Sequence, residues 1–176
     1  MMEGKGRLIA TDHDKRQLAP IYERLSRAGV HNAEVRAPKG DADPLADIRA
    51  SADLVLIDAP CSATGVVRRQ PDILLHRRPG DLDALLLTQA RLLDAAWTVL
   101  APGGVLVYTT CSTEPEENIE VVRRLLATTS DFTLQRADAR RRREHDRQRL
   151  IGDPDDVHLV LLLGERQRAH LAAGAP

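Results

Sequence analysis

Residues 54–62 read Leu-Val-Leu-Ile-Asp-Ala-Pro-Cys-Ser, a short apolar run that ends at an aspartate and a proline. A continuous apolar run of this length, closed by turn residues, is typical of a parallel strand that is buried on both faces. A second run, residues 105–111, reads Val-Leu-Val-Tyr-Thr-Thr-Cys. Between the two runs, the apolar spacing predicts a helix from Asp81 to about Leu100. The centre of the chain therefore predicts two parallel strands joined by a helical crossover.

The same alternation of strands and helices continues on both sides of this centre. Further strands are predicted at residues 7–12, 33–36, 132–134 and 157–163. Further helices are predicted over residues 14–28 and from Pro115 onward. This pattern predicts an α/β fold of the Rossmann-like type, with a mostly parallel sheet and helices on both faces. We expect one domain at residues 1–163 and a flexible tail at residues 164–176.

The composition excludes several classes of protein. The 176 residues have a net charge of −1 and are 43% hydrophobic and 29% charged, which is ordinary for a soluble globular domain. No apolar run approaches the ~18 residues of a membrane helix, and no signal-peptide pattern opens the chain. Two cysteines are too few for a disulfide framework, so we expect a reducing, cytoplasmic location.

Carboxylates and thiols follow the predicted strands at their carboxyl ends. Asp12, Asp58 and Cys111 each end a strand, and Cys61 lies three residues after Asp58. Ligands of open α/β sheets bind outside this edge, so we expect the four side chains to converge there. Adjacent strands are ~4.8 Å apart, so the two sulfurs should lie within about 15 Å of each other on one face. Each residue has a plainer alternative, because aspartates often form turns and lone cysteines are often small buried hydrophobes.

Two stretches of this chain resemble the RsmB-type RNA 5-methylcytosine methyltransferases. Residues 58–72, Asp-Ala-Pro-Cys-Ser-Ala-Thr-Gly-Val-Val-Arg-Arg-Gln-Pro-Asp, resemble their motif IV. Residues 108–118, Tyr-Thr-Thr-Cys-Ser-Thr-Glu-Pro-Glu-Glu-Asn, resemble their motif VI. The strand at residues 7–12 resembles motif II, and the resemblance extends over residues 3–134. It implies the catalytic domain of a class I methyltransferase that uses S-adenosylmethionine on RNA, ribosomal RNA in particular, and that needs no metal.

The resemblance also implies a role for each candidate residue. Cys111 matches the nucleophile that adds to C6 of cytosine, and Cys61 matches the cysteine that assists breakdown of the covalent adduct. Asp58 matches the acid beside the base and the cofactor. Asp12 matches the acid that binds the ribose hydroxyls of the cofactor, and Asp41 is the best match to the acid on its adenine side. A free thiol of pKa ~8.5 is mostly protonated at neutral pH, so we expect a polar site that favours the thiolate.

Motif I of this family, a strand followed by a glycine-rich loop with a lysine, has no counterpart here. Residues 4–6, Gly-Lys-Gly, come directly before the strand that resembles motif II. The amino-terminal RNA-binding domain of the family has no counterpart either. We therefore expect an upstream segment or a partner chain to supply motif I. Without it, the motif II and motif IV strands should have unpaired edges, pair directly with each other or recruit a partner chain. The 176 residues alone should bind the cofactor weakly or not at all.

Three functions stay open on the sequence. The first is an RNA cytosine-C5 methyltransferase, and the second is a non-catalytic remnant or interaction subunit that keeps the cysteines. The third is a DNA C5 methyltransferase, which would use the proline-cysteine thiol and leave the threonine-cysteine motif unexplained.

Basic residues provide a weaker indication of an RNA contact. Four arginines of the loop after motif IV either bind RNA phosphates or form a solvated basic loop. They are Arg68, Arg69, Arg77 and Arg78. Residues 136–149 contain seven arginines among acidic residues, which indicates a flexible solvated linker first and an RNA contact second.

Overall fold

The structure is a computed structural model that describes residues 5–40, 42–78, 80–128, 134–135 and 159–163. The chain divides into two compact units, Met1–Ile48 and Arg49–Pro176, and each is described by itself. Strands and helices alternate in both units, so the chain has the α/β architecture that the sequence predicts. The predicted tail at residues 164–176 and the arginine-rich stretch at residues 136–149 lie outside the described residues.

Two parallel strands joined by two short helices form the first unit. Its elements are β1 (Leu8–Thr11), α1 (Lys15–Leu18), α2 (Ile21–Arg27) and β2 (Ala33–Arg36). The prediction of one helix over residues 14–28 is wrong, because Pro20 separates α1 from α2. A proline has no N–H to donate, and its ring clashes with the carbonyl four residues earlier, so a helix ends before it. Pro20 instead precedes the first turn of α2 as its N-cap.

A four-stranded sheet and its helices form the second unit. Its elements are β3 (Ala52–Asp58), α3 (Ile73–His76), α4 (Asp81–Val99), β4 (Leu100–Thr110), α5 (Ile119–Thr128), β5 (Leu134–Gln135) and β6 (Leu159–Leu163). The strand order is β3-β4-β6-β5. Strands β3 and β4 are parallel, as predicted, and β6 is antiparallel to both of its neighbours. Helix α4 provides the crossover between the two parallel strands.

Strand β3, which contains the apolar run at residues 54–58, is paired on one edge only in the part of the chain that the structure describes. Among the described residues, β3 pairs with β4 and its other edge has no ladder, as is also true of β1 beside β2. These ladders fit the first of the three arrangements expected for the strands that resemble motif II and motif IV. The prediction that β3 is buried on both faces is wrong, because Leu54 and Leu56 are 61% and 62% exposed, whereas Ile57 is 7% exposed. Helix α4 covers only the face that carries Ile57.

The core of the second unit lies between this sheet and helices α4 and α5. The apolar faces predicted for the two helices point into it, and Leu93, Ala96 and Val122 are buried there. The buried apolar cluster consists of Ile57, Ala59, Leu93, Ala96, Leu100, Leu106, Tyr108, Val121 and Val122. Burying a Leu or Val side chain stabilises a fold by about 1.5–3 kcal/mol, so this cluster fixes the sheet edge on which the site is built.

Candidate active site

The two cysteines lie in contact at the carboxyl edge of the parallel pair. The register places Asp58 of β3 opposite Thr109 of β4, and the N–H of Ala59 donates to the Thr109 carbonyl at 2.9 Å. The two segments that follow β3 and β4 therefore leave the sheet side by side. Cys61 and Cys111 follow directly, and their Sγ atoms are 3.4 Å apart. This distance is well within the limit of about 15 Å that the strand positions predict.

Asp58 lies at the same edge as the thiol pair. It is the last residue of β3 and is exposed, and the Thr109 hydroxyl is 3.5 Å from its Oδ1 atom. Its negative charge contributes to the electrostatics of Cys111. The structure thus brings together three of the predicted site residues, Asp58, Cys61 and Cys111.

Cys111 is surrounded by groups that disfavour its thiolate. Burial raises the pKa of the Cys111 thiol, and the hydrogen bond and charge of Cys61 raise it further, to about 12. The charge of Asp58 acts in the same direction. The expectation of a site that favours the thiolate is therefore not met by the described residues, which hold Cys111 as a thiol at neutral pH.

The turn after Cys61 passes very close to the turn of Cys111. The N–H of Gly65 donates to the Cys111 carbonyl at 3.0 Å, and a Cβ atom on Gly65 would lie 2.7 Å from that oxygen. Thr64 also accepts the N–H of Thr113 through its hydroxyl oxygen at 2.9 Å. Only a residue without a side chain fits this crossing, so Gly65 is part of what sets the position of Cys111.

The Cys111 turn is also braced by Asn118. Its Oδ1 atom accepts the Thr110 hydroxyl at 2.6 Å, and its Nδ2 atom donates to the Ser112 and Glu114 carbonyls, both at 2.9 Å. Thr110 and Ser112 flank Cys111 in the chain. The backbone on both sides of the nucleophile candidate is therefore tied to one amide side chain.

Glu117 is the important residue that sequence reasoning missed. The pattern favours Glu116 and Glu117 equally as acids near the positive end of a helix. Glu117 is instead completely buried, and its carboxylate accepts hydrogen bonds from Ser62 and Gln89. The signal that could have indicated it is its place inside residues 108–118, the stretch that also contains Cys111.

Arg77 has a structural role that the sequence did not predict. Its Nε atom donates to the Ser62 carbonyl at 3.0 Å and its Nη2 atom to the Cys61 carbonyl at 2.9 Å. The guanidinium group therefore supports the Cys61 turn from outside. The side chains of Arg68, Arg69 and Arg78 are exposed on the same loop.

The two acids predicted for the cofactor belong to the first unit. Asp12 follows β1, and its Oδ1 atom accepts the N–H of Asp14 at 2.8 Å and lies 3.2 Å from Nδ1 of His13. The side chain stays 37% exposed, so Asp12 forms a turn and still presents carboxylate surface. Asp41 lies outside the described residues.

Two further structural findings concern metals and membranes. The described residues contain no group of three or more His, Cys, Asp or Glu side chains that could hold a metal ion. None of the helices in the described part of the chain is long and apolar enough to cross a membrane.

Similarity to solved structures defines the class of protein. NSun6 from Pyrococcus horikoshii with SFG is 27% identical to this chain, with a TM-score of 0.69 over 95% of this chain and 43% of that one. A methyltransferase homolog protein from the same organism is 34% identical, with a TM-score of 0.62 over 78% of this chain and 41% of that one. The fold is therefore a Rossmann-like methyltransferase fold, as the sequence predicts.

Within that class, the chain belongs to the 16S rRNA methyltransferase RsmB/F family, which matches residues 1–155. Ribosomal RNA small subunit methyltransferase B of Xanthomonas campestris pv. campestris is 47% identical over 129 residues, or 73% of this chain and 30% of that protein. The protein of the same name from Xylella fastidiosa strain 9a5c is 52% identical over 127 residues, or 70% of this chain and 29% of that protein. This chain thus spans about 30% of the length of these curated relatives. The description of the matched family names ribosomal RNA, not DNA.

Proposed function

We propose that this chain carries the catalytic cysteines of an RNA cytosine-C5 methyltransferase that acts on small-subunit ribosomal RNA in the cytoplasm. The observation that carries the proposal is the contact between Cys61 and Cys111, 3.4 Å apart beyond two parallel strands. A cysteine with a purely structural role needs no second thiol beside it. Two thiols at the edge where ligands of α/β sheets bind instead fit a reaction that has separate addition and elimination steps. The names of the curated relatives support ribosomal RNA as the substrate.

Cys111 would be the nucleophile of the proposed reaction. Its sulfur gives its proton to solvent and bonds to C6 of cytosine, which moves the ring electrons toward C5 and makes that carbon nucleophilic. The carboxyl group of Asp58, exposed at the end of β3, would share a proton with N3 of the ring and so neutralise the negative charge that develops there. After C5 is methylated, C5 loses its proton and the Cys111 sulfur leaves C6. Cys61, in contact with that sulfur, assists this elimination.

S-adenosylmethionine would supply an electrophilic methyl group for C5. The carboxylate of Asp12 fits its ribose, because a partly exposed carboxylate at the carboxyl end of a strand can accept both ribose hydroxyls. We assign the adenine side to Asp41. The relative NSun6 from Pyrococcus horikoshii with SFG, an analogue of S-adenosylmethionine, supports this choice of cofactor.

Trapping with an RNA that contains 5-fluorocytosine tests the proposal. Fluorine at C5 cannot leave as a proton does, so a covalent complex between protein and RNA should accumulate when S-adenosylmethionine and the upstream segment or partner chain that supplies motif I are present. We expect Cys111→Ala to abolish the complex. We expect Cys61→Ala to retain it and, with an ordinary cytosine RNA, to accumulate an adduct that the unchanged chain resolves. Denaturing gel electrophoresis measures both.

Two results would contradict the proposal. A complex that survives Cys111→Ala and disappears with Cys61→Ala would reverse the two roles. The absence of any complex from the unchanged chain, with the motif I segment, the RNA and the cofactor all present, would contradict the catalytic role of these cysteines.

A further inference from the structure

We propose that Glu117 is a positioning residue that holds the Cys61 turn against the Cys111 turn. Its side chain has no exposed surface, although it belongs to a short 3-10 turn (Pro115–Glu117) of mostly polar residues. A buried carboxylate is costly unless hydrogen bonds replace its lost hydration. The hydrogen-bond partners of Glu117 show which groups replace that hydration and which parts of the backbone the carboxylate holds in place.

The first partner is the residue that follows Cys61 in the chain. The N–H of Ser62 lies 2.9 Å from Oε1 and 3.1 Å from Oε2 of Glu117, and the Ser62 hydroxyl donates to Oε2 at 2.5 Å. Because the Ser62 nitrogen belongs to the peptide group that follows Cys61, these bonds fix the orientation of that peptide group. The backbone on the carboxyl side of Cys61 is thus tied to Glu117.

The second partner extends this hold to the other side of Cys61. Gln89 of α4 is also completely buried, and its Nε2 atom donates to Oε1 of Glu117 at 3.0 Å and to the Pro60 carbonyl at 2.9 Å. Pro60 precedes Cys61 and Ser62 follows it. One connected network of hydrogen bonds therefore restrains the backbone on both sides of Cys61.

Glu117 is itself anchored to the elements that carry Cys111. Its carbonyl accepts the hydroxyl of Tyr108 in β4 at 3.1 Å. Burial, followed by the charge of Glu117, raises the pKa of Tyr108, so that hydroxyl stays protonated as a donor. A shorter link runs between the two turns, because the Ser62 and Ser112 hydroxyls are 2.9 Å apart. The network therefore connects the neighbours of one cysteine to the neighbours of the other.

The chemistry of this network requires a carboxylate. The groups that face the Glu117 oxygens from Ser62 and Gln89 are all donors. An ionised carboxylate only accepts, so it satisfies every one of them. A glutamine has almost the same shape, but its NH₂ group would face a donor and leave the buried network with an unpaired hydrogen. Glu117→Gln is therefore a small change in volume and a large change in the network.

This inference deepens the proposed function and rests on it for its catalytic meaning. Elimination requires Cys61 to stay beside a sulfur that is bonded to the base. If the two turns are held together before the reaction, the two sulfurs already have the distance and orientation that elimination needs. Glu117 would set this distance through Ser62 and Gln89, without touching the substrate.

The approach of the two thiols can be measured without RNA or cofactor. Diamide oxidises two thiols to a disulfide and takes up their two protons and two electrons. We would measure the rate of this intramolecular oxidation by mass spectrometry and divide it by the rate at which iodoacetamide alkylates the same thiols. The ratio reports how closely the sulfurs approach, because intrinsic thiol reactivity affects both rates.

We expect Glu117→Gln to lower this ratio about tenfold, the effect of losing roughly one hydrogen bond to a charged group. Glu120→Gln is the matched control, since Glu120 lies on the partly exposed first turn of α5, and its ratio should equal that of the unchanged chain. A role in overall stability alone would lower the melting temperature and leave the ratio as it is. A Glu117→Gln chain with a native circular dichroism spectrum and an unchanged ratio would overturn the proposal.

If Glu117→Gln does not fold, Ser62→Ala decides. This variant removes the hydroxyl bond to Glu117 and keeps the backbone N–H, so we expect a smaller fall of about threefold. An unchanged ratio in folded Ser62→Ala would also overturn the proposal. A failure of the 5-fluorocytosine experiment would contradict the proposed function and would not alter these ratios, so the two failures are distinguishable.

Discussion

The Cys111 thiol has properties that differ strongly from those of the free amino acid. Its pKa is raised to about 12 by burial and then by the neighbouring Cys61. A nucleophile that is protonated before the reaction must lose its proton during it, after the bound cytosine has changed the surroundings of the thiol. The high pKa therefore protects the thiol from electrophiles in the absence of substrate.

This property predicts the pH dependence of Cys111 alkylation. The chain has two cysteines, so Cys61→Ala leaves Cys111 as the only thiol. In that variant, the bond and charge of Cys61 no longer raise the pKa of Cys111. We expect iodoacetamide to alkylate Cys111 at least several-fold faster at pH 8 in Cys61→Ala than in the unchanged chain, where the rate should keep rising above pH 9. Equal rates for Cys111 at pH 8, measured by peptide mass spectrometry, would contradict the assigned influence of Cys61.

At the scale of elements, the crossing of the two turns depends on one glycine. Gly65→Ala would place a Cβ atom 2.7 Å from the Cys111 carbonyl oxygen, a backbone atom that cannot move without its turn. We expect this substitution to lower the free energy of unfolding by about 1–3 kcal/mol, as overpacking usually does. Urea denaturation measures it. A change below about 0.5 kcal/mol would show that the two turns separate easily.

The sequence predicts these elements well where local pattern decides the structure. The runs at residues 54–58 and 105–110 are strands, and α4 ends within a residue of the predicted position, because apolar spacing and turn residues act locally. Pro20 splits a predicted helix, which its chemistry could have indicated. Exposure of Leu54 and the role of Glu117 could not be predicted, because each depends on what packs there in three dimensions.

At the scale of the whole molecule, binding of the cofactor is the property that the 176 residues are expected to lack. In the proposed site, Asp12 and Asp41 would contact the ribose and adenine side of the cofactor. These 176 residues do not include, ahead of β1, the glycine-rich loop that would bind the amino and carboxylate groups through backbone N–H groups and a helix amino terminus. Losing several hydrogen bonds worth ~0.5–1.5 kcal/mol each lowers affinity by orders of magnitude. Isothermal titration of the chain with S-adenosylmethionine should therefore show weak or undetectable binding.

Micromolar affinity in that titration would contradict this expectation and would show that these residues complete the cofactor site. Asp12→Ala is the matched variant in that case. It should abolish the observed binding if the ribose is held as proposed.

The edge of β3 that has no ladder among the described residues also bears on how copies of this chain behave toward one another. A free strand edge beside exposed apolar side chains is a template for adding a strand from another molecule. With a net charge of −1 and a pI near 6.6, the chain has little long-range repulsion at neutral pH to keep copies apart in concentrated solution. The exposed carboxylates of Asp53 and Asp58, on either side of Leu54 and Leu56, provide the local charge that opposes such contacts. Asp58 would therefore contribute to colloidal stability as well as to chemistry.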